Sequence, residues 1–528
     1  MNTPKDHMAF DTSFGLPGEW PDLNNFAHPS LPSRFEAEAG SLQVLGKIPD
    51  TINGTFYRVS PDPLFPPDPR MVWIDGDGVI SALRIRNGKV DFKNRYVETE
   101  RLKLEKAAGR ALFGLYRNPY SHHPCVKAAI DSVANTNVAL WAGKLLAIKE
   151  SALPYEVDPD TLETVGYDPF GQVESRTFTA HPKVDPYTEE LVVFGYEAKG
   201  LATNDIAIYA IDKMGMVKDV QWVKGPWVGF MHDCAITENF IVIPVPPFEA
   251  DLDRMKAEGT HFEWKMHREL SFLVVPRRRG KALPPGWIEG ETRVYPWRNG
   301  MTGHSAGAWE ENGKIYIESG CFTDNMFPFF NEEGRHPDPA SIQISYVRWE
   351  IDLSTPTGTH VSEPKPLYVG ACEFPRCDER FFTRKVNHSW LACTLPSNIG
   401  ANGPAHAGLD SLMMHRNSTG EQQFFNPGPA CAVSEPIFVP RHKNAAEGDG
   451  WVIAMVERKL QHRNECIILD TRDFTQPVAI IQMPFYLKAQ IHGNWVGEEI
   501  LDQRPNRPCM LKPIEEVQIM GKGAVSHL

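Results

Sequence analysis

Imidazole is the commonest protein ligand for transition metals, and this chain carries 18 histidines. Several lie in polar, loop-like stretches: His7, His28, His122, His123, His336 and His442. Four stand beside apolar runs. His181 (Ala180-His-Pro182) precedes residues 190–195, His232 (Met231-His-Asp233) precedes 240–245, and His304 (Gly303-His) precedes 314–317. His492 sits within Ile491-His-Gly-Asn-Trp-Val496. About fifty to nearly two hundred residues separate successive members, so no local motif links them. Each alone reads better as a hydrogen-bonded histidine at a strand end than as a ligand. Only a fold that gathers strand ends onto one axis could bring the four together.

Other chemistry-bearing patterns fail on context. Gly303-His-Ser305-Ala-Gly307 matches the nucleophile elbow of serine hydrolases, which works only between a strand and a helix. Here Asn312-Gly313 and an apolar run follow, which is a hairpin signal. Gly76-Asp77-Gly78 lacks the third glycine and the helix of a dinucleotide fingerprint. No phosphate-binding loop and no H-E-x-x-H occurs. Cys372 and Cys377 lack the close pairing of a zinc site. Asp251, Asp253 and Arg254 read as a solvated helix face.

The elements that must position these residues are mostly strands. Candidates are residues 145–148, 191–195, 206–211, 240–245, 272–275, 314–317, 437–439, 451–456, 467–469 and 478–481. Asp75-Gly-Asp-Gly78 and Asn87-Gly88 read as hairpin turns. Helical spacing is confined to Arg101–Leu115, with shorter candidates at 128–133 and 250–258. Residues 1–40 are irregular and read as an arm. Many short strands over nearly 500 residues, with no internal linker, point to an all-β propeller or another large closed sheet structure, although no sharp repeat is visible.

The composition is 42% hydrophobic and 23% charged, enough for a large core. Lys+Arg 54 against Asp+Glu 67 gives a net charge of −13, which argues against general nucleic-acid binding. The amino terminus lacks a signal peptide's apolar core, and no run approaches the ~20 residues of a membrane span. Nine scattered cysteines then read as reduced thiols of an intracellular protein, and the sequons at Asn53, Asn387 and Asn417 carry no weight. The chain ends Ser526-His527-Leu528, a variant of the Ser-Lys-Leu peroxisomal address. Cytoplasm and peroxisome both remain open, as does assembly into a homo-oligomer.

Six segments resemble the carotenoid cleavage oxygenase family, and do so in the family's order over nearly the whole chain. They are Thr177–Asp185, Phe194–Gly200, Met231–Asn239, Glu373–Arg376, Ala446–Gly450 and His492–Val496. The stilbene-cleaving members resemble it most. The resemblance implies one propeller domain over 1–528, seven-bladed, with a loop and helix dome drawn from about 99–135 and 249–260. It implies one Fe(II) held by His181, His232, His304 and His492, with O₂ as co-substrate. Neutral imidazoles suit Fe(II) chemically. It places carboxylates at Glu150, Glu373 and Glu435 behind the ligands, where they would fix tautomer and ring orientation.

The resemblance also implies a substrate class. Tyr116 and Lys149 match positions that hydrogen-bond the 4′-hydroxyl of a stilbene, and Phe65 and Phe327 match positions lining its pocket. The expected reaction is cleavage of the interphenyl double bond of a resveratrol-like aromatic alkene into two aldehydes. Spacing between Tyr116 and Lys149 differs from some relatives around His122-His123, which leaves pocket shape open. Two other readings stand beside it: cleavage of an apocarotenoid or an isoeugenol-type alkene, and a non-catalytic propeller that binds a ligand.

Overall fold

Several strands are buried along their whole length rather than at every second residue. Gly54–Pro61 and Ser271–Pro276 are buried at every position. Such strands need cover on both faces. In the computed structural model, which describes residues 32–68, 70–277, 283–327, 329–338, 341–398 and 409–502, that cover comes from neighbouring sheets arranged as a seven-bladed β-propeller.

Blade 1 holds Gly54–Pro61, Gly78–Arg86 and Lys89–Tyr96. Blade 2 runs from Asn137–Trp141 to Thr164–Tyr167, and blade 3 from Lys183–Asp185 to Val217–Lys224. Blade 4 starts at Ala235–Ile236, blade 5 at Met301–Glu311, and blade 6 at Cys372–Cys377. Blade 7 combines Cys431–Val433 and Ile437–Pro440 with three longer strands ending at Asp473–Gln482.

A separate apolar core fills each gap between blades. Phe56, Leu83 and Phe92 of blade 1 meet Ile453, Ile468 and Ile481 of blade 7. Phe194, Ile206 and Ile208 of blade 3 meet Ile241, Ile243 and Leu273 of blade 4. The ring is closed twice. Gly493–Gly497, near the far end of the chain, becomes the innermost strand of blade 1, in register Arg58↔Gly493 to Gly54↔Gly497. Val44–Gly46 adds to blade 7, with Val44 opposite Ile481.

The strand candidates all fall in these sheets; 240–245 matches its strand, and the others extend beyond what the sequence suggested. Asn87-Gly88 and Asn312-Gly313 form the expected turns, with φ of 51° and 75°, and 54° and 75°. Asp75-Gly-Asp-Gly78 is not a hairpin. It closes a long connection before Gly78–Arg86. Asp75 and Asp77 are buried there, Asp75 against Arg101 at 2.9 Å and Asp77 accepting from the Leu64 amide at 2.9 Å.

Helix is scarcer than the spacing predicts. The first helix stops at Ala108, not Leu115, because Gly109 takes a left-handed φ of 69° and donates its amide back to Glu105 and Lys106. The Glu105 carboxylate then accepts from the Leu112 and Phe113 amides, turning the chain away. Residues 128–133 form no helix, and the last candidate shrinks to Leu252–Lys256. The carboxy-terminal tripeptide and residues 1–31 of the expected arm lie outside the described residues.

Candidate metal centre and substrate face

Every blade sends one residue to the axis. His181 stands two residues before the inner strand of blade 3, and His232 three before that of blade 4. His304 lies within the inner strand of blade 5, and His492 immediately precedes the one closing blade 1. Blades 2, 6 and 7 supply Glu150, Glu373 and Glu435. One candidate ligand atom from each histidine lies within 4.8 Å of all the others.

Local irregularities aim these side chains. The pairing of Met301–Glu311 slips between Thr302 and Ser305 and again before Gly307. Such bulges re-aim a side chain that strict alternation would send elsewhere. A third slip lies between Glu373 and Arg376, where Phe374 takes a left-handed φ of 57°. Gly303 is required by this approach, since a Cβ there would overlap Glu373 Oε1.

The carboxylates fix the rings. His232 Nδ1 pairs with Glu150, His304 Nδ1 with Glu373 at 2.7 Å, and His492 Nδ1 with Glu435 at 3.1 Å. Among these three rings each Nδ1–H is therefore the donor, and each Nε2 presents a lone pair. The Nε2 of His232 lies 3.1 Å from that of His181 and 3.0 Å from that of His304. The Nε2 of His492 is buried with no hydrogen-bond partner among the described residues. Lone pairs facing one another at this range repel unless they share a cation. The separations suit one: at a metal–nitrogen distance of about 2.1 Å, right-angled ligands lie about 3.0 Å apart and tetrahedral ones about 3.4 Å.

Electrostatics agree with neutral His181 and His492 and with ionised carboxylates, whereas, against burial, Glu373, then Asp233 and Glu435, hold His304 above its usual value. Burial, then the neighbouring imidazoles, hold His181 well below its usual range. Burial brings His492 down to about 4 against the pull of Glu435. Burial alone would raise Glu150, but His232 and Lys149 bring it down to about 2. Burial also opposes ionisation of Glu435, yet His492, Arg376 and Arg58 hold it far below the ordinary carboxylate value. Both arginines pair with it at 3.2 Å.

Sequence reasoning missed the residues that tie the ligand strands together. Asp233 follows His232, and Ser305 follows His304. The Asp233 carboxylate accepts from the Ser305 amide and hydroxyl at 2.8 Å and pairs with Lys183 at 2.8 Å. Three ligand-bearing strands are thus stitched just beside their ligands. The same bond shows why Ser305 is no hydrolase nucleophile: its hydroxyl is engaged within a strand. The signal was adjacency to the histidines.

A cavity of about 940 Å³ follows the axis beyond the ligands, lined by His181, His304, Asp233, Arg376 and Asn494 among others. The residues on the other side are aromatic. Phe230 stacks on His232 at 5.7 Å and packs with Tyr196, Phe248 and Phe262. Phe327 meets Phe248 at 6.2 Å, and Tyr116 meets Phe330 at 5.8 Å. Phe327 thus packs against the same cluster as Tyr116. Phe65 is half-buried and is not part of that cluster.

Tyr116 is not on a helix; it lies in a turn and is buried. The Lys149 ammonium lies 5.1 Å from the centre of its ring. Lys149 Nζ donates to the Ile74 carbonyl and to Asn135 Oδ1, each at 3.3 Å. Asn135 is itself fixed by bonds to the carbonyls of Ile74 and Gly76 at 2.8 and 2.6 Å. An ammonium has three donors, so two are used among the described residues and a third can serve a ligand. Burial, with Tyr196 and Glu150 nearby, pushes the Tyr116 phenol well above its usual range, so it stays a donor.

Residues 30–497 match the family model described as Retinal pigment epithelial membrane protein. The chain is 52% identical over 517 residues to Resveratrol cleavage oxygenase 1 of Botryotinia fuckeliana, spanning 97% of this chain and 92% of that one. It is 40% identical over 471 residues to an isoeugenol monooxygenase of Pseudomonas nitroreducens, spanning 88% and 96%. The crystal structure of Pseudomonas brassicacearum lignostilbene dioxygenase superposes with a TM-score of 0.84 at 37% identity, covering 92% of this chain and all of that one.

Proposed function

The chain belongs to the carotenoid oxygenase family, and from that premise we propose that it is an iron(II) dioxygenase that cleaves the interphenyl double bond of a 4′-hydroxystilbene such as resveratrol, giving two aromatic aldehydes. The observation that carries the substrate class is the pairing of Lys149 with Tyr116 beside an aromatic wall that ends on His232. A carotenoid offers no acceptor for the ammonium donor that the Ile74 carbonyl and Asn135 leave over, or for the Tyr116 hydroxyl. A phenolic oxygen answers both donors.

His181, His232, His304 and His492 would hold the metal, and when bound it supplies the activation of O₂ toward the alkene. Imidazole sets also suit zinc, copper and nickel; iron is the choice that fits a dioxygenase reaction with O₂. The rest is the work of the chain. Lys149 and Tyr116 both donate to the substrate's 4′-oxygen, and two donors on one oxygen favour its anionic form. Charge from that oxygen delocalises through the ring onto the double bond, which raises the alkene's reactivity toward oxygen. Phe230, backed by Phe248 and Phe262, forms an apolar wall beside His232 that keeps water from that flank of the ligands. Glu150, Glu373 and Glu435 keep three Nδ1 protons in place so that each Nε2 stays available.

The test is product analysis of iron-loaded protein given resveratrol, isoeugenol and a carotenoid in separate reactions. Two aldehydes from resveratrol, formed faster than product from the others, support the reading. Isoeugenol carries the same 4-hydroxyphenyl group, so faster cleavage there would keep the phenol site but move the substrate class. Cleavage of the carotenoid alone would overturn it. A non-catalytic binding propeller would turn over none of them.

A further inference from the structure

Tyr116 is placed by its chain neighbours, and their partners are unusual. Arg117 and Glu197 both have left-handed backbones, with φ of 52° and 51°. Neither is glycine, so each conformation must be held by its surroundings. They hold one another: Arg117 Nη2 donates to Glu197 Oε2 at 2.6 Å, and Nη1 to the Tyr196 hydroxyl at 2.6 Å. His261 Nε2 bonds the same carboxylate at 2.9 Å, while its Nδ1 lies 2.8 Å from the Arg117 carbonyl oxygen.

The bonds form a closed ring. It runs from the Arg117 guanidinium to Glu197, on to His261, and back to the backbone of Arg117. Side chain and main chain of one residue are thereby fixed together. The three side chains are 5%, 1% and 0% exposed, so water cannot substitute for a lost partner. Asn118 locks the next residue, donating to the Met255 and Gly259 carbonyls at 3.0 and 2.7 Å. Glu197 lies at the end of a blade 3 strand, Glu190–Tyr196. The ring therefore anchors the Tyr116 turn to the rigid propeller.

We propose that Glu197, through Arg117 and His261, is a positioning residue that sets the Tyr116 hydroxyl against the substrate's 4′-oxygen and so governs turnover of phenolic substrates. This rests on the stilbene reading above. None of the three touches the metal ligands in a bond or ion pair among the described residues, so metal binding does not depend on them. A buried ion pair that merely stabilised the fold would act on all steps alike. A positioning pair acts only while there is a tyrosine hydroxyl to position.

The experiment is a double-substitution cycle on the metal-loaded protein: unaltered, Glu197→Gln, Tyr116→Phe and both together. Each is assayed for kcat and KM on 4-hydroxystilbene, with bound metal measured in parallel. Glu197→Gln lowers kcat/KM about tenfold, chiefly in kcat, with metal content unchanged. In the Tyr116→Phe background it adds less than about twofold, because the group it positions is gone. A further tenfold loss in that background, or a loss that follows metal content, overturns the proposal. His261→Gln is the second variant if Glu197→Gln does not fold, with the same expectations. If the unaltered chain cleaves no stilbene at all, the functional reading fails and this inference with it. If it does cleave and the losses multiply, only the inference fails.

Discussion

The Lys149 ammonium stands 5.1 Å from the centre of the Tyr116 ring, 33 residues away in sequence by their numbering and on a different element. One directly follows a blade 2 strand, the other lies in a turn between the first helix and blade 2. Both are buried, and both can donate.

Replacing Lys149 with methionine keeps the stem and removes the donor. The loss of a hydrogen bond from a charged group is about 1.5–3 kcal/mol, or roughly ten- to a hundredfold in kcat/KM on a hydroxystilbene. Metal content stays unchanged, because no ligand is touched. Steady-state kinetics with elemental analysis reads both. Equal activity would remove phenol activation from the account.

Glu373→Gln and Gly303→Ala converge on one phenotype. The first weakens the acceptor for His304 Nδ1. The second pushes a methyl group into the Glu373 carboxylate. Losing such a support costs about ten- to a hundredfold in metal affinity. Competition with a chelator measures it. If Gly303→Ala retains metal as the unaltered protein does, the close approach is not needed.

Asp233→Ala leaves Lys183 buried without its partner and releases the Ser305 strand. Breaking such a pair costs about 3–5 kcal/mol. Urea unfolding of the metal-free protein shows the loss. Adding Lys183→Met to the same chain recovers part of it, since the stranded charge is gone. No recovery would mean that the charge was not the cause.

Acid sensitivity follows from Glu197. Burial would raise its carboxyl, but His261 and Arg117 bring it down to about 2. Its unfolded value is about 4.3. A depressed folded value gives stability that is present above about pH 4.3 and drains away as pH falls toward 2. Arg117, Tyr196 and His261 are the polar side chains facing it. The difference in Tm between the protein and Glu197→Gln therefore narrows as pH falls from about 4.3 toward 2. A constant difference would contradict this sign.

Much of the scaffold was legible because propeller strands are short, apolar and regularly interrupted. Apolar runs such as 240–245 and turns such as Asn312-Gly313 survive in any context. Turn signals failed where burial won: Asp75 and Asp77 look like hairpin residues but serve as buried partners of Arg101 and the Leu64 amide. The helix from Arg101 was read too long because apolar spacing continues past Gly109, which ends it.

The four histidines could be singled out but not joined. Their meeting depends on the ring closing through Gly493–Gly497, a pairing between the two ends of the chain. Asp233 and Ser305 were hidden for another reason. Side chains beside a ligand point to neighbouring strands, and which strands are neighbours is a property of the ring. Glu197 lay inside a segment that carried the family resemblance, yet its partner Arg117 is 80 positions away.

The most direct measurement is titration of metal-free protein with Fe(II), following resveratrol cleavage under air. Activity is expected to rise linearly and stop at one iron per chain, and His232→Ala is expected to show neither binding nor turnover. Cleavage without iron, or undiminished in His232→Ala, would contradict a single metal held by His181, His232, His304 and His492.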